Sequence, residues 1–457
     1  MEGSQFPERK IIFMDRQKSI CAFTNCNIID GKFEGDLIEE GVILVENLDG
    51  VGRIKALGSR DEVSIPEHCK TVDLKGKYVL PGLINAHVHL FGDGNPFAPG
   101  DVKRTPDENM EYMKSSLGKY LVKETMKKNA MASLQAGVTT FRSVGDPFYY
   151  DIEVRDEMKD SSEVGPTMLC AGPMMCITGG HGYKLVSEAS DSPWEGRKQV
   201  RLRVYNGTDL IKIASTGGVT DSRKIGEAGR VQMTYDEIAA ICDEAHRAGL
   251  LVASHCQSTR GLKEALRAGV DTIEHGASMD DEIVRLFKHN PRSLRGYSAL
   301  VPTFAVAVYV SEISTEYTKL DDVQFTNGRI IRDEMTEGFK TAVKEGIKVG
   351  LGTDAGMPFV THYGTWRELY LQVKYGEISN AQAIGFATKS NAEILGIDRE
   401  VGTLEAGKFA DFIVLEGNPL ENLNYFEKPS IVVKQGNIID NTRDYIIPDV
   451  EKFVKDI

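Results

Sequence analysis

A (β/α)8 (TIM) barrel flanked by a small β-sandwich is the α/β fold that the sequence predicts, on three observations. The centre of the chain alternates short apolar strands with amphipathic helices eight times. Both ends instead carry short strands of alternating polar and apolar residues, punctuated by Gly and Asp. Five of the nine histidines, a lysine and an aspartate fall at the ends of the central strands or just after them, the face on which barrel proteins build their sites.

The elements follow in order. Residues 1–80 are read as the N-terminal part of the sandwich, with CAFTNCNIID, GVILVEN, RIKALG and KTVDLKGKYVLPG as its strands. The same pattern returns in KFADFIVLEGNP and SIVVKQGNIID, so residues 398–457 complete it and 81–397 form the barrel. Barrel strands are predicted at 83–89, 138–144, 167–172, 209–215, 250–255, 270–275, 299–305 and 347–353, with helices such as 109–135, 234–248 and 280–289 between them. Thr234 and Glu237 have capping-box spacing, and Gly249 ends that helix. The stretch 306–346 is long. It is expected to combine a specificity loop over the pocket, in its first half, with the seventh barrel helix.

Composition narrows the function. A net charge of −13 and a pI near 5.3 repel nucleic acid and anionic membrane, so a small-molecule partner is expected. No stretch reaches the roughly 18 apolar residues of a membrane span, and the first residues lack a signal-peptide core. Seven cysteines without a CxxC pair predict neither a disulfide framework nor a thiolate zinc site. Cys176 and Cys256 are expected as small buried hydrophobes. There is no GxxxxGK[ST] phosphate loop and no GxSxG nucleophile elbow.

The chemistry lies in the strand-end residues. His87 and His89, in GLINAHVHL, are two apart and face the same way from a strand, so they can share one ion. An HxH pair alone is a weak signal, because two histidines on a strand face can simply be hydrogen-bonded. What strengthens it is the ordered series after it: Lys212 in DLIKIAS, His255 in LLVASHC, His275 in DTIEHG and Asp354 in KVGLGTDAG.

With these motifs the chain resembles the amidohydrolase superfamily, in its two-metal subgroup with a carboxylated lysine. The matching segments are PGLINAHVHL, IKIASTGG, SHCQSTRGLKEALRAGVDTIEHG, LGTDAG and VGTLEAGKFADFIVLEGNPL, spread over nearly the whole chain. It looks most similar to prolidase-like and Xaa-Arg dipeptidases, with imidazolonepropionase-like enzymes as neighbours. The resemblance implies hydrolysis of a C–N bond in a dipeptide or N-acyl amino acid by a hydroxide shared between two divalent ions. It implies that His87, His89 and Asp354 hold the more buried ion, and His255 and His275 the more exposed one. Lys212 would bridge both as a carbamate, since an unmodified lysine is a cation and no ligand. Zinc is expected from the mixed His and carboxylate-type donors. Such relatives are often homo-oligomers, and a cytoplasmic homo-oligomer is expected here.

Asp354 would orient the attacking water and carry its proton to the leaving amine. His181, in CITGGHG, is placed to stabilise the oxyanion. Some dipeptidase-type relatives have a tyrosine two positions after the fifth-strand histidine, against the substrate carboxylate. Here that position is Gln257, which adds no charge, and His362, Tyr183 and Arg230 are the substitute candidates. His68, His246 and His289 receive no role. A cyclic amide is the alternative substrate, phosphotriester hydrolysis a possible side activity. A non-catalytic scaffold would have lost ligands, and none of the six is missing.

Overall fold

The computed structural model describes residues 19–32, 37–96, 105–161, 163–440, 445–455 and 457. Four strands come first: β1 (Ser19–Ile28), β2 (Ile38–Leu48), β3 (Val51–Ser59) and β4 (Lys70–Pro81). Nine shorter ones follow: β5 (Leu83–Val88), β6 (Val138–Ser143), β7 (Thr167–Cys170), β8 (Met174–Cys176), β9 (Ser187–Ala189), β10 (Ile211–Ala214), β11 (Val252–Cys256), β12 (Thr272–His275) and β13 (Ala299–Val301). The last three are β14 (Phe412–Leu415), β15 (Ile431–Lys434) and β16 (Asn437–Ile439).

The two chain ends meet in one seven-stranded sheet, in the order β16-β15-β14-β4-β1-β2-β3. β14 runs antiparallel to β4, with Phe412 opposite Pro81 and Leu415 opposite Tyr78. The expected sandwich is therefore a single sheet folded over on itself. Its edge strand β3 returns to the C-terminal side, where Gly52 N donates to Gln435 O and Ile54 N to Lys408 O. Register shifts in β1 and β2 give the coiling, because a bulge bends and twists its strand. Gly52 makes the closure possible, since a Cβ there would come within 2.7 Å of Gly436 Cα. Phe23, Val45, Phe412 and Val433 fill the interior, the two rings edge to face at 4.9 Å.

The central strands are parallel, in two runs: β5-β6-β7 and β13-β12-β11-β10-β8-β9. Asp209 N, just before β10, donates to Cys170 O of β7 and links the runs on one side. On the other side residues 348–355 serve both. Leu300 N donates to Lys348 O, Ala86 N to Leu351 O and His89 N to Ala355 O. This is the predicted eighth strand, reduced to isolated bridges at Val349 and Ala355. The side chain of Asn391 explains the gap, because it accepts from Leu351 N and donates to both Ile84 O and Leu351 O. An amide side chain there replaces part of the ladder.

Other differences have local causes. The predicted strand 167–172 breaks at Gly172, whose φ is +66°, before Pro173. The predicted helix 109–135 is two helices, Pro106–Lys114 and Ser116–Gln135, because the hydroxyl of Ser115 accepts from Gly118 N and starts a new cap. Residues expected to begin a loop at 306 form a buried helix, Phe304–Glu312, whose sequence FAVAVYVSE is nearly all apolar. The Thr234–Glu237 capping box is present, at the head of the helix Tyr235–Arg247. All seven cysteines are free, Cys176 and Cys256 fully buried. Among the described residues no helix is long and apolar enough to cross a membrane.

A buried ion pair docks the folded sheet on the parallel strands. Lys434 of β15 reaches Asp411 and donates to Thr167 Oγ1 of β7 at 2.8 Å, and both charged side chains are almost completely buried. Breaking one partner strands the other charge. Lys434→Met should therefore cost about 3–5 kcal/mol, and adding Asp411→Leu should recover most of it. Urea denaturation of the three proteins checks this, and a double variant as weak as the single one would refute it.

Candidate metal centre

His87 is the penultimate residue of β5 and His89 lies just beyond its end, their rings 5.4 Å apart and both buried. The hydrogen bonds of each ring decide where its electrons point. His89 Nδ1 lies 2.6 Å from Gly145 O, and a carbonyl only accepts, so Nδ1 carries the hydrogen. His87 Nδ1 likewise donates to Glu274 Oε2 at 2.8 Å. Glu274 is kept ionised: burial opposes its charge, but Arg142 and His87 outweigh it and hold the carboxyl well below its ordinary range. Arg142 donates to Glu274 Oε1 at 2.7 Å, and so does Thr272 Oγ1 at 2.7 Å.

Both Nε2 lone pairs therefore face Asp354, whose Oδ1 lies 3.3 Å from His87 Nε2 and 3.1 Å from His89 Nε2. That buried oxygen has no hydrogen-bond donor. Three electron pairs converging on one point require a cation there, a proton or a metal ion. The ligand atoms of His87, His89 and Asp354 lie within 4.8 Å of one another. Burial works against a proton on His89, yet Asp354 beside it raises its pKa overall. Asp354 itself stays well below the carboxylate range: burial pushes it up, and His87 and His89 pull it down further. Its φ is +63°, and that of His275 is +70°. Left-handed backbone at two non-glycine residues costs about 1–3 kcal/mol each and marks strain kept at this site.

A second set of donors lies beside the first. β10, β11 and β12 are in parallel register, Ala214 opposite His255 and Cys256 opposite His275. The His275 ring is 5.1 Å from His87 and 4.6 Å from His255. His275 Nδ1 pairs with Thr303 Oγ1 at 2.7 Å, which leaves Nε2 free. His255 makes the opposite choice, its Nε2 donating to Gly217 O at 3.2 Å and leaving Nδ1 free. Burial drives both imidazoles well below their usual pKa, so they stay neutral donors. Lys212 on β10 is fully buried; burial pushes its ammonium down to about 8, against the pull of Glu274.

Above the histidines is a cavity of about 160 Å³. His181 lines it, stacked on His255 at 4.1 Å, its Nδ1 paired with the carboxylate of Asp221. Gln232 Oε1 accepts from His181 N at 3.1 Å and Ser187 Oγ donates to His181 O at 2.8 Å, so the loop is fixed at this point. Gln257 also lines the cavity. The other three candidates do not. Arg230 keeps 63% of its side chain exposed, beside Glu227. Tyr183 packs on the apolar cluster around Met174 and Val186. His362 is buried behind the loop after β5, where its Nε2 donates to Gly92 O at 2.9 Å.

Sequence reasoning did not single out Glu274, Arg142, Thr303, Asp221 or Glu368. Glu274 and Arg142 had a signal, since each is a charge inside an apolar strand, in DTIEHG and TTFRSVGD. Glu368 accepts from Phe304 N and Ala305 N at 2.8 and 2.7 Å. It thereby fixes the start of the helix that follows Thr303. Burial lifts its carboxyl to about 8.

Residues 78–439 match the model of the Amidohydrolase family. The chain belongs to that family. This amidohydrolase is similar to a solved structure from Bifidobacterium longum proposed to be a prolidase, at 38% identity and a TM-score of 0.84, covering 96% of this chain and 98% of that one. It is also similar to a Xaa-Pro dipeptidase solved with methionine in its active site, at 28% identity and a TM-score of 0.77, covering 92% and 100%. The ochratoxinase of Aspergillus niger is 26% identical over 381 residues, 78% of this chain and 73% of its own length. These amidohydrolase neighbours imply a TIM-barrel domain joined to a β-rich one, and support hydrolysis of C–N bonds.

His362 gives a pH test of the apoprotein. Burial holds its pKa at about 4, against about 6.5 in the unfolded chain. Because the unfolded chain binds the proton first, this histidine's contribution to stability is complete above pH 6.5 and is lost as pH falls towards 4. His362→Gln keeps a donor for Gly92 O and removes the titration. From pH 7 to 4.5 the stability difference should move in the variant's favour by about 2–3 kcal/mol. A difference that stays constant in urea denaturation would contradict the assigned shift.

Proposed function

We propose that the protein hydrolyses the C–N bond of a small peptide-like amide, of the dipeptide or N-acyl amino acid type, with two divalent ions, zinc first among them. The observation that carries this reading is the meeting of His87 Nε2, His89 Nε2 and Asp354 Oδ1 around one point, with the other nitrogen of each ring held by Glu274 or Gly145. These three would hold the buried ion; His255 Nδ1 and His275 Nε2 would hold the outer one. Lys212 would join both as a carbamate, which turns a buried cation into a carboxylate-like donor. The division of the chain into 1–80 with 398–457 and a barrel of 81–397 belongs to the same proposal. The hydrogen bonds of residues 348–355 to β13 and β5 support barrel closure.

When bound, the two ions would acidify a shared water and polarise the amide carbonyl. Asp354 would hold that water, accept its proton and pass it to the departing amine. His181, oriented by Asp221, would donate to the oxygen on which negative charge develops. The apolar walls keep bulk water away and strengthen each of these contacts.

Amine release from dipeptides and N-acyl amino acids by zinc-loaded protein tests the reading, and silence across the series with both ions bound would defeat it. A chelator should abolish turnover, and zinc, manganese or cobalt should restore it. Asp354→Asn should keep the fold and lower kcat by roughly 100-fold or more. Near-normal turnover with metal bound would remove Asp354 from proton transfer. Lys212→Ala should lose metal, and short carboxylic acids should restore part of it. Full metal content without that rescue would exclude the carbamate.

A further inference from the structure

His181, the proposed donor to the oxyanion, belongs to one loop and takes its direction from another. Its Nδ1 pairs with Asp221, in the long connection between β10 and the helix Tyr235–Arg247. The backbone of that connection also comes up against the ring. A Cβ on Gly218 would lie 2.3 Å from both Cε1 and Nδ1 of His181. Gly218 and Asp221 thus set how far the ring leans towards the cavity. A shift of the loop either releases Nδ1 or drives backbone into the imidazole, and a misplacement of roughly 1 Å at a reacting group can cost about 100-fold in rate.

Packing inside the loop does not explain its placement, because the Asp221 side chain is 36% exposed. A hold comes from outside, from the helix Asp322–Lys344. Asn327, 1% exposed, accepts from Gly226 N at 2.7 Å and donates to Lys224 O at 2.9 Å. Gln324 Nε2, one turn earlier, donates to Thr220 O at 2.8 Å, next to Asp221 in the chain. An amide suits position 327, since one side chain there satisfies a carbonyl and an N–H together. Asparagine and glycine both disfavour a helix interior. Here they stand side by side, Asn327 bonded to the loop and Gly328 lining the cavity.

We propose that Asn327 is a positioning residue for His181, acting through the loop that carries Asp221. The inference rests on the hydrolase reading and adds to it a residue behind the cavity wall.

A double-mutant cycle tests it, on whichever dipeptide or N-acyl amino acid is cleaved fastest. Asn327→Ala should lower kcat by about tenfold and leave KM within about twofold, because His181 acts on charge that develops only in the transition state. In a His181→Ala background the same change should lower kcat by less than about twofold, since no ring remains to be positioned. An equal loss in both backgrounds makes Asn327 merely structural and overturns the proposal, as does an unchanged kcat in the single variant. A crystal structure of Asn327→Ala gives a readout without turnover. Asp221 should have left His181 Nδ1, and a contact kept as in the parent protein overturns the proposal. If the parent protein cleaves nothing with both ions bound, the hydrolase reading fails, and this contact alone decides whether Asn327 positions His181. Should Asn327→Ala not fold, Gln324→Glu takes its place. A carboxylate there still accepts from Asp321 N, as Gln324 does at 3.1 Å, but has no hydrogen to give Thr220 O. It should lower kcat about threefold, again only with His181 present, and an undiminished kcat overturns the proposal.

Discussion

The buried contact between Arg142 and Glu274 is the constraint on which the site depends. Arg142 starts from β6, donates to Ala86 O of β5 at 2.6 Å, and reaches Thr272 and Glu274 on β12 at 3.1 and 2.7 Å. One guanidinium thus ties three strands together inside the protein, and its planar fork suits that task. It also keeps Glu274 ionised, so that Glu274 can hold the hydrogen of His87 Nδ1. Because that hydrogen is held, His87 turns its other nitrogen to Asp354. Without Arg142 the buried carboxylate would take up a proton, and the histidine would lose its fixed tautomer.

The other rings are fixed by the same means with cheaper partners. Gly145 O, Gly217 O and Thr303 Oγ1 each occupy one nitrogen of His89, His255 and His275. The free nitrogen is Nε2 in His89 and His275 and Nδ1 in His255. Thr303 is in turn followed by a helix whose first amides are held by Glu368. The donors are therefore arranged before any ion binds, and the strain at Asp354 and His275 is held by surrounding structure.

Much of this was legible in the sequence, because a strand-end histidine beside a Gly turn is a local signal. The alternation of apolar strands and amphipathic helices, the HxH pair and the Thr234 cap are of that kind. The network behind the ligands is not local. Arg142 and Glu274 are far apart in sequence, and nothing in either segment names the other. The helix Phe304–Glu312 was misread as a loop because a short all-apolar run has no periodicity. Asn391 stands in for a strand pairing, and a lone asparagine in a helix gives no sign of it. Gln257 was read for the charge it lacks; the structure adds that it lines a mostly apolar cavity and that its oxygen is unpartnered.

The seven-stranded sheet has a consequence for how the chain is made. Its four N-terminal strands leave the ribosome first, yet β4 receives β14 only after the whole central region has been synthesised. Until then β4 presents an open edge, the feature by which unfinished sheets stick to one another. Pairing between the two ends of the chain is also the slowest kind to find. The parallel strands, whose neighbours are close in sequence, can assemble during that wait. Biogenesis then ends with capture of the last strands by an edge exposed since the start, and this interval is when the nascent protein most needs a chaperone.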